Sequence, residues 1–525
     1  MFDVGLGAAI LLQFRQSDGG VVRVLADGGL DGKFGKERLP DALAHFGWAS
    51  KRIDLMVGTH YDADHLDGLV PIVEDGAFEI GEAWLPPVAD DSVLHAIDGM
   101  PKASDMLPIK FGGSRGGAAC SRYLVAKASV CDTFAQCITS IKSNRDIPDD
   151  DRDDQPKLPQ LGDGDEARWL GTARRYFKCH ERRAREVLGT TGESHADDDA
   201  QVEMSARKIS RELARFWPWR WGGRRSLEVH LRDGLSDEGA DAPIIRSLAR
   251  MQLRAAVEGI NATSLRVLVA ALHKKSVPIR CHYIDDGEPR HFRWSQRTRR
   301  FEMAPGRSDQ VLLTLLGPSM GLIKRHRARL PLADYAAYAM LNRLEMKTIT
   351  PSNQLSSAFV IRYAGQGILI SGDTGFVDFP IKPRSKEFHA RLVGVLDDLA
   401  IIQVAHHGGA NAYFYRALQK AKSPLAKPES FFLLSHGAGD MHRPSDEFSQ
   451  YIEGVRHMDT RPQVLFTGKP RAERITDFRS NVFSPVGNPA SSGDVRLCHK
   501  NGSWVVEKHA VDVFGVNEPA RKLEK

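Results

Sequence analysis

Short apolar runs bounded by turn residues mark both ends of this chain, and a long polar stretch separates them. Phe2 to Leu12 and Val21 to Gly29 read as two strands joined by the polar turn Gln16 to Gly20. Glu37 to Phe46 has helical spacing, Ile53 to Thr59 is a short buried strand, Leu69 to Glu74 is helical again, and Glu82 to Leu85 is a strand closed by Pro86-Pro87. From 88 to 262 the apolar positions thin out, with an acidic stretch at Asp146 to Asp154 and a glycine- and serine-rich segment around Gly112 to Ala119 that predicts a flexible loop. Helical periodicity shows at Gly171 to Leu188 and Ser205 to Phe216, so this stretch reads as a mostly helical insertion with loose loops.

Strand patterns resume at Val277 to Tyr283, Phe292 to Trp294 and Val311 to Leu316. Ala358 to Tyr363 and Gly367 to Ser371 predict a hairpin, Leu399 to Ala405 and Phe431 to Ser435 two buried strands, and Gly493 to Val505 a closing hairpin before the solvated tail Glu518 to Lys525. The expected organisation is an α/β fold in two parts, 1–87 and 263–505, with the insertion at 88–262 and a C-terminal tail at 506–525. A chain of 525 residues exceeds the usual single domain, which fits a fold carrying a large insertion.

Composition narrows the classes. No apolar run approaches the ~20 residues that cross a bilayer, and the start lacks a charged leader and cleavage site, so the expectation is a soluble, cytoplasmic protein with no membrane partner. The six cysteines are scattered and none forms a Cys-x-x-Cys pair, which fits free thiols in a reducing compartment. A net charge of +5 neither demands nor excludes nucleic acid.

The chemistry sits at predicted strand ends. His60, Asp62, Asp64 and His65 follow one strand, Asp373 another, His406-His407 a third, and His436 and His442 come after a fourth. Imidazole and carboxylate are ligands for divalent zinc or manganese. A polar helix start would explain the first cluster alone, and a surface accident the histidine pair alone. Strands that each deliver Asp or His at their carboxyl ends are the way layered α/β folds assemble sites from distant sequence.

These motifs resemble the metallo-β-lactamase superfamily, in particular its ComEC-like and phosphorylcholine-esterase-like branch. The resemblance rests on Phe2-Asp3-Val4-Gly5-Leu6-Gly7, Asp27-Gly28-Gly29, the His-x-Asp-x-Asp-His at 60 to 65, Gly372-Asp373, His406-His407-Gly408 and a terminal His-Pro motif. It covers about 1–87 and 265–505. It implies a metallo-β-lactamase αββα four-layer sandwich holding two divalent metal ions, zinc or manganese. One ion would take His60, Asp62 and His406, the other Asp64, His65 and His442, with Asp373 bridging and His407 facing the substrate; Asp64 and His407 would be the catalytic residues. Having Asp62 where many members have His tilts the metal choice toward manganese. Two departures stand out: the final motif reads Met441-His442-Arg443-Pro444, not Gly-His-Pro, with His436 as the substitute ligand, and Gly409 stands where Ser is frequent.

The activity implied is a metal-dependent hydrolase, in first place a phosphodiesterase or nuclease in which a water held between two cations becomes the nucleophile. The alternatives are hydrolysis of a small ester, lactone or phosphate ester, and a regulatory or assembly subunit of a nucleic-acid-processing or defence system, with the insertion docking a protein partner. The strip Arg215 to Arg225 alternates tryptophan with arginine, which could stack bases of a nucleic acid through Arg220 and Arg224 or anchor the insertion. Lys324 to Arg329 is a second basic cluster. Gly112-Gly113-Ser114-Arg115-Gly116 matches a nucleophile-elbow pattern but lacks its strand-turn-helix frame.

Overall fold

The computed structural model describes residues 1–5, 7–16, 19–30, 33–45, 51–86, 113–143, 166–189, 241–304, 311–323, 351–382, 385–423, 430–435, 443–456, 463–468 and 493–506. The chain divides into two compact units: Met1–Val88 with Ala270–Ile323 and Ile349–Lys525, and Ala89–Val269 with Lys324–Thr348.

The first unit is mixed α/β. Strands β1 (Ile10–Arg15), β2 (Val21–Ala26), β3 (Arg52–Val57), β4 (Glu79–Trp84) and β5 (Ile279–Arg280) form one sheet in that order, antiparallel at β1-β2 and parallel thereafter. Strands β6 (Arg290–Ser295), β7 (Arg300–Met303), β8 (Leu312–Gly317), β9 (Ala358–Tyr363), β10 (Gln366–Ile370), β11 (Leu399–Gln403), β12 (Phe431–Leu434) and β13 (Gln463–Phe466) form a second. Its order is β13-β12-β11-β10-β9-β8-β6-β7, with β10 to β13 parallel. A hairpin of β14 (Leu497–Lys500) and β15 (Ser503–Val506) closes the described chain. The first strand starts at Ile10, not at Phe2 as the apolar pattern predicts, because Gly5 and Gly7 take positive φ (72° and 100°), outside strand geometry.

The largely apolar strands β8, β11 and β12 are buried at every position, Thr314 and Gln403 included, as parallel or central strands covered on both faces require. Side chains from both sheets share one hydrophobic cluster: Val24, Leu55 and Trp84 from the first meet Phe292, Val360 and Ile402 from the second. Trp84 stands edge-on to Phe292 at 4.9 Å. Each fully buried aromatic in this cluster, such as Phe359 or Phe432, stabilises the fold by about 1.5–3 kcal/mol. This core pins the carboxyl ends of β2, β3, β10, β11 and β12.

The second unit, among the described residues, is helical: Gly113–Ser143, Glu166–Gly189 and Asp241–Lys274 as far as Val269. The predicted loop around Gly112 to Ala119 is therefore corrected to helix. One of its glycines serves packing: a Cβ on Gly117 would lie 2.8 Å from the Glu166 carboxylate. Glu166 in turn pairs with Arg266 at 2.8 Å, Lys127 pairs with Glu258 at 2.7 Å, and Gln252 bonds His180 at 2.9 Å. One stretch, Leu248–Lys274, is long and apolar enough to span a bilayer by length and composition, contrary to the sequence reading, and is mostly buried. Arg250, Arg254, Glu258 and Arg266 within it, and Lys274 at its end, interrupt the apolar run.

Candidate metal centre

The site grows from strand ends in the first unit. Where β2 and β3 run parallel, Asp27 follows the one and Thr59-His60 the other, and the Asp27 amide bonds the Val57 carbonyl at 2.8 Å. The loop then turns into the short helix Ala63–Leu66, which brings Asp64 and His65 back over the strand ends. This return needs close backbone contact: Gly28 donates to the His65 carbonyl at 2.7 Å and Gly68 to the Gly29 carbonyl at 2.9 Å, and a Cβ on Gly68 would lie 1.9 Å from the Gly28 oxygen. From the other sheet, β10 delivers Asp373, β11 delivers His406 and His407, and β12 delivers Ser435.

After β11 the backbone takes positive φ at three successive residues, His406 (54°), His407 (54°) and Gly408 (79°). Two such histidines in a row store strain on the order of 1–3 kcal/mol each, a pattern that concentrates at functional sites. The consequence is directional. His407 is buried, with Nε2 3.3 Å from His65 Nε2, 3.7 Å from Asp64 Oδ2 and 3.5 Å from Asp373 Oδ1. His406 turns to the edge, 30% exposed, with Nδ1 2.9 Å from Asp373 Oδ2 and 3.1 Å from Asn353 Nδ2. The structure thus brings His407, and not His406, into a group that could hold a metal, whereas the resemblance implied His406 as the ligand; His406 lies beside the cluster, 30% exposed.

Six of the sequence-predicted residues converge: His60, Asp62, Asp64, His65, Asp373 and His407, in three overlapping groups able to hold a metal ion. Asp373 divides its oxygens. Oδ1 faces His65 at 3.5 Å and His407 at 3.5 Å, whereas Oδ2 faces His60 at 3.8 Å and His406 at 2.9 Å. His436 and His442 lie outside the described residues, as do Arg220, Arg224, the tryptophan strip and Lys324 to Arg329.

Three rings are held from behind. His65 Nδ1 bonds Asp27 Oδ2 at 2.8 Å, and His407 Nδ1 bonds Ser435 Oγ at 3.0 Å. The Thr59 hydroxyl donates to Asp27 Oδ2 at 2.8 Å, so towards His60 Nδ1, 3.1 Å away, it has only lone pairs to offer. His60 Nδ1 is therefore the donor there, and its Nε2 presents a lone pair to the cluster. That Nε2 and Asp373 Oδ1 are buried without a hydrogen-bond partner, which is costly in a protein interior and is what a cation would relieve. Of these supports the sequence reading quoted Asp27 without a role and passed over Thr59, Ser435 and Ser352, whose hydroxyl donates to Asp62 Oδ1 at 2.7 Å. The position of Asp27 and Ser435 directly after strands was the signal available.

The geometry fits a small tetrahedral ion. With bonds of about 2.0–2.1 Å, the edges of a tetrahedral site are about 3.4 Å. Around His65 Nε2 and His407 Nε2, which lie 3.3 Å apart, Asp64 Oδ2 stands at 4.0 and 3.7 Å and Asp373 Oδ1 at 3.5 Å from each, five of the six edges of such a site. His60 Nε2, 3.7 Å from Asp62 Oδ2 and 3.8 Å from Asp373 Oδ2, begins a second position beside it.

Electrostatics agree with a cation-seeking cluster. Burial disfavours charge on His65, but the carboxylates of Asp27, Asp373 and Asp64 outweigh it and raise the imidazole to about 10. Burial, aided by His65, lowers His60 to about 4. Burial and the neighbouring Asp64 raise Asp62 to about 7. Asp373 sits well below the carboxylate range because His407, His65 and His60 overcome its burial. No protein-family model, curated protein or solved structure matches the chain.

Proposed function

We propose that this protein is a binuclear metal-dependent hydrolase of metallo-β-lactamase type, its two sheets forming the centre of an αββα sandwich, and that it cleaves phosphodiesters, those of nucleic acid foremost. One observation carries the reading: His60, Asp62, Asp64, His65, Asp373 and His407, drawn from two sheets, come together in three overlapping groups of donor atoms able to hold a metal ion, with His65 and His407 each 3.5 Å from Asp373 Oδ1. The shared core between the sheets supports the architecture.

Asp64, His65 and His407 would hold one zinc or manganese ion, His60 and Asp62 the other, and Asp373 would serve both through its separate oxygens. Two such ions supply Lewis acidity and activate water near neutral pH. The chain's own residues do the rest. Asp27 and Ser435 fix the rings of His65 and His407 so that each turns Nε2 inward. His60 and His65 are fully buried and Asp373 nearly so, whereas Asp62 and Asp64 are each 21% exposed and His406 30% exposed, so substrate and water reach the centre from the side of these three residues.

Elemental analysis of the purified chain, followed by cleavage of single- and double-stranded nucleic acid with manganese, zinc or magnesium, tests the reading. We expect close to two divalent ions per chain, and loss of both metal and cleavage in Asp373→Ala. Full cleavage by Asp373→Ala would remove this centre from the chemistry.

A further inference from the structure

Arg443 is the residue by which the final motif departs from Gly-His-Pro. The structure gives it a definite place: its Nε donates to the His406 carbonyl at 3.2 Å, and NH2 lies 3.4 Å from His406 Nε2. His406 is fixed from the other side by Asp373 at 2.9 Å, so with Nδ1–H donating to that carboxylate, Nε2 offers its lone pair to the guanidinium. Ser445 binds this segment down, its amide donating to the Gly408 carbonyl at 2.8 Å. Gly409 leaves the room for the arrangement, since a Cβ there would stand 2.5 Å from His406 Cδ2. The serine frequent at that position in the family would collide with the His406 ring, so the two departures from the family pattern belong to one local structure.

Charge gives the arrangement a purpose. Four carboxylates, Asp27, Asp62, Asp64 and Asp373, surround the histidines. Two divalent cations would only balance them, leaving no net positive charge to draw in an anionic substrate. Resting on the hydrolase reading above, we propose that Arg443, positioned by His406 on the accessible side of the centre, is the anion-recognition residue that selects a phosphate-bearing substrate over an uncharged one. A guanidinium fork matches the oxygens of a phosphate, and a fixed plane lowers the entropy lost on binding.

The test is equilibrium binding of inorganic phosphate and of uncharged trimethyl phosphate to the full, metal-loaded chain by titration calorimetry, in wild type, Arg443→Met and Arg443→Lys. Wild type should bind phosphate and prefer it over trimethyl phosphate. Arg443→Met should weaken phosphate binding at least tenfold and abolish the preference, and Arg443→Lys should restore part of both, as a point charge without the fork. Unchanged phosphate affinity in Arg443→Met, equal weakening of both probes, or no phosphate binding by wild type would each overturn the proposal. Metal content, measured on the same samples, and the same titrations repeated on the chain without added metal separate the two ideas: a chain that takes up no divalent metal refutes the hydrolase reading, while the metal-free phosphate titration still reads Arg443.

Discussion

Asp27 touches no open face of the centre, yet it organises three groups there: His65 through Nδ1, and Thr59 through both amide and hydroxyl. It is buried and itself takes positive φ, 60°, a conformation that asparagine and aspartate tolerate better than other side chains with a Cβ. Removing such a support misaims the ring it holds, and comparable outer carboxylates cost about 10- to 100-fold in metal affinity. Asp27→Ala should therefore lower zinc affinity by that factor in a chelator-competition assay; an unchanged affinity would show that the ring needs no support. The inward turn of His407 makes a sharper forecast. His407→Ala should lose bound metal, whereas His406→Ala should retain it, and elemental analysis of the pair distinguishes this structure from the assignment the family resemblance implies.

Elements position these side chains, and their own tolerances are narrow. The loop between β3 and the helix Leu69–Glu74 lies on the end of β2 with Gly68 against Gly28. Gly68→Ala places a methyl 1.9 Å from a carbonyl oxygen, so the loop must lift. Overpacking of this kind costs about 3 kcal/mol, and a urea titration of the variant should show it as a lower midpoint together with weaker metal binding.

A second element carries a pH signature away from the centre. Between β5 and β6, the His282 ring packs against Trp84 at 4.3 Å and Phe292 at 4.8 Å, and its Nε2 is buried without a hydrogen-bond partner. Burial, with Arg280 and Arg290 nearby, lowers it to about 4. An unfolded imidazole titrates near 6.5, so between these values the unfolded chain binds the extra proton and stability falls as pH drops from 6.5 toward 4. The contribution lost is on the order of 3 kcal/mol. Relative to wild type, His282→Phe should flatten the dependence of the urea midpoint over this window; an unaltered slope would mean that the ring is hydrated.

At the scale of the molecule, a buried cluster with orphaned donor atoms is a liability that a bound metal would turn into stabilisation. A ligand that binds only the folded state at a hundredfold excess over Kd adds about 2.7 kcal/mol. Chelation should accordingly lower the melting temperature and zinc or manganese should restore it, as read by scanning calorimetry; a melting curve indifferent to chelator would argue that the cluster is satisfied by protons alone. The same packing explains what the apolar pattern revealed and what it hid. Strands such as β11 and β12 were legible because positions buried on both faces are mostly apolar, as in Leu399–Ile402 and Phe431–Leu434. The helix from Gly113 was not, because glycine favours loops locally, whereas Gly117 allows close approach to Glu166 within the helix.

By itself the sequence determined which residue types stand at strand ends, since ligands, turn glycines and buried runs leave local signatures, and His60, Asp62, Asp64, His65 and Asp373 could be named on that basis. Only the tertiary structure decided that His407 and not His406 turns inward, that Asp27 and Ser435 hold the rings, and that Arg443 lies against His406. Those outcomes depend on two adjacent positive φ angles and on contacts between residues hundreds of positions apart. Local pattern carries no record of either, because direction in space is set by the whole core closing at once.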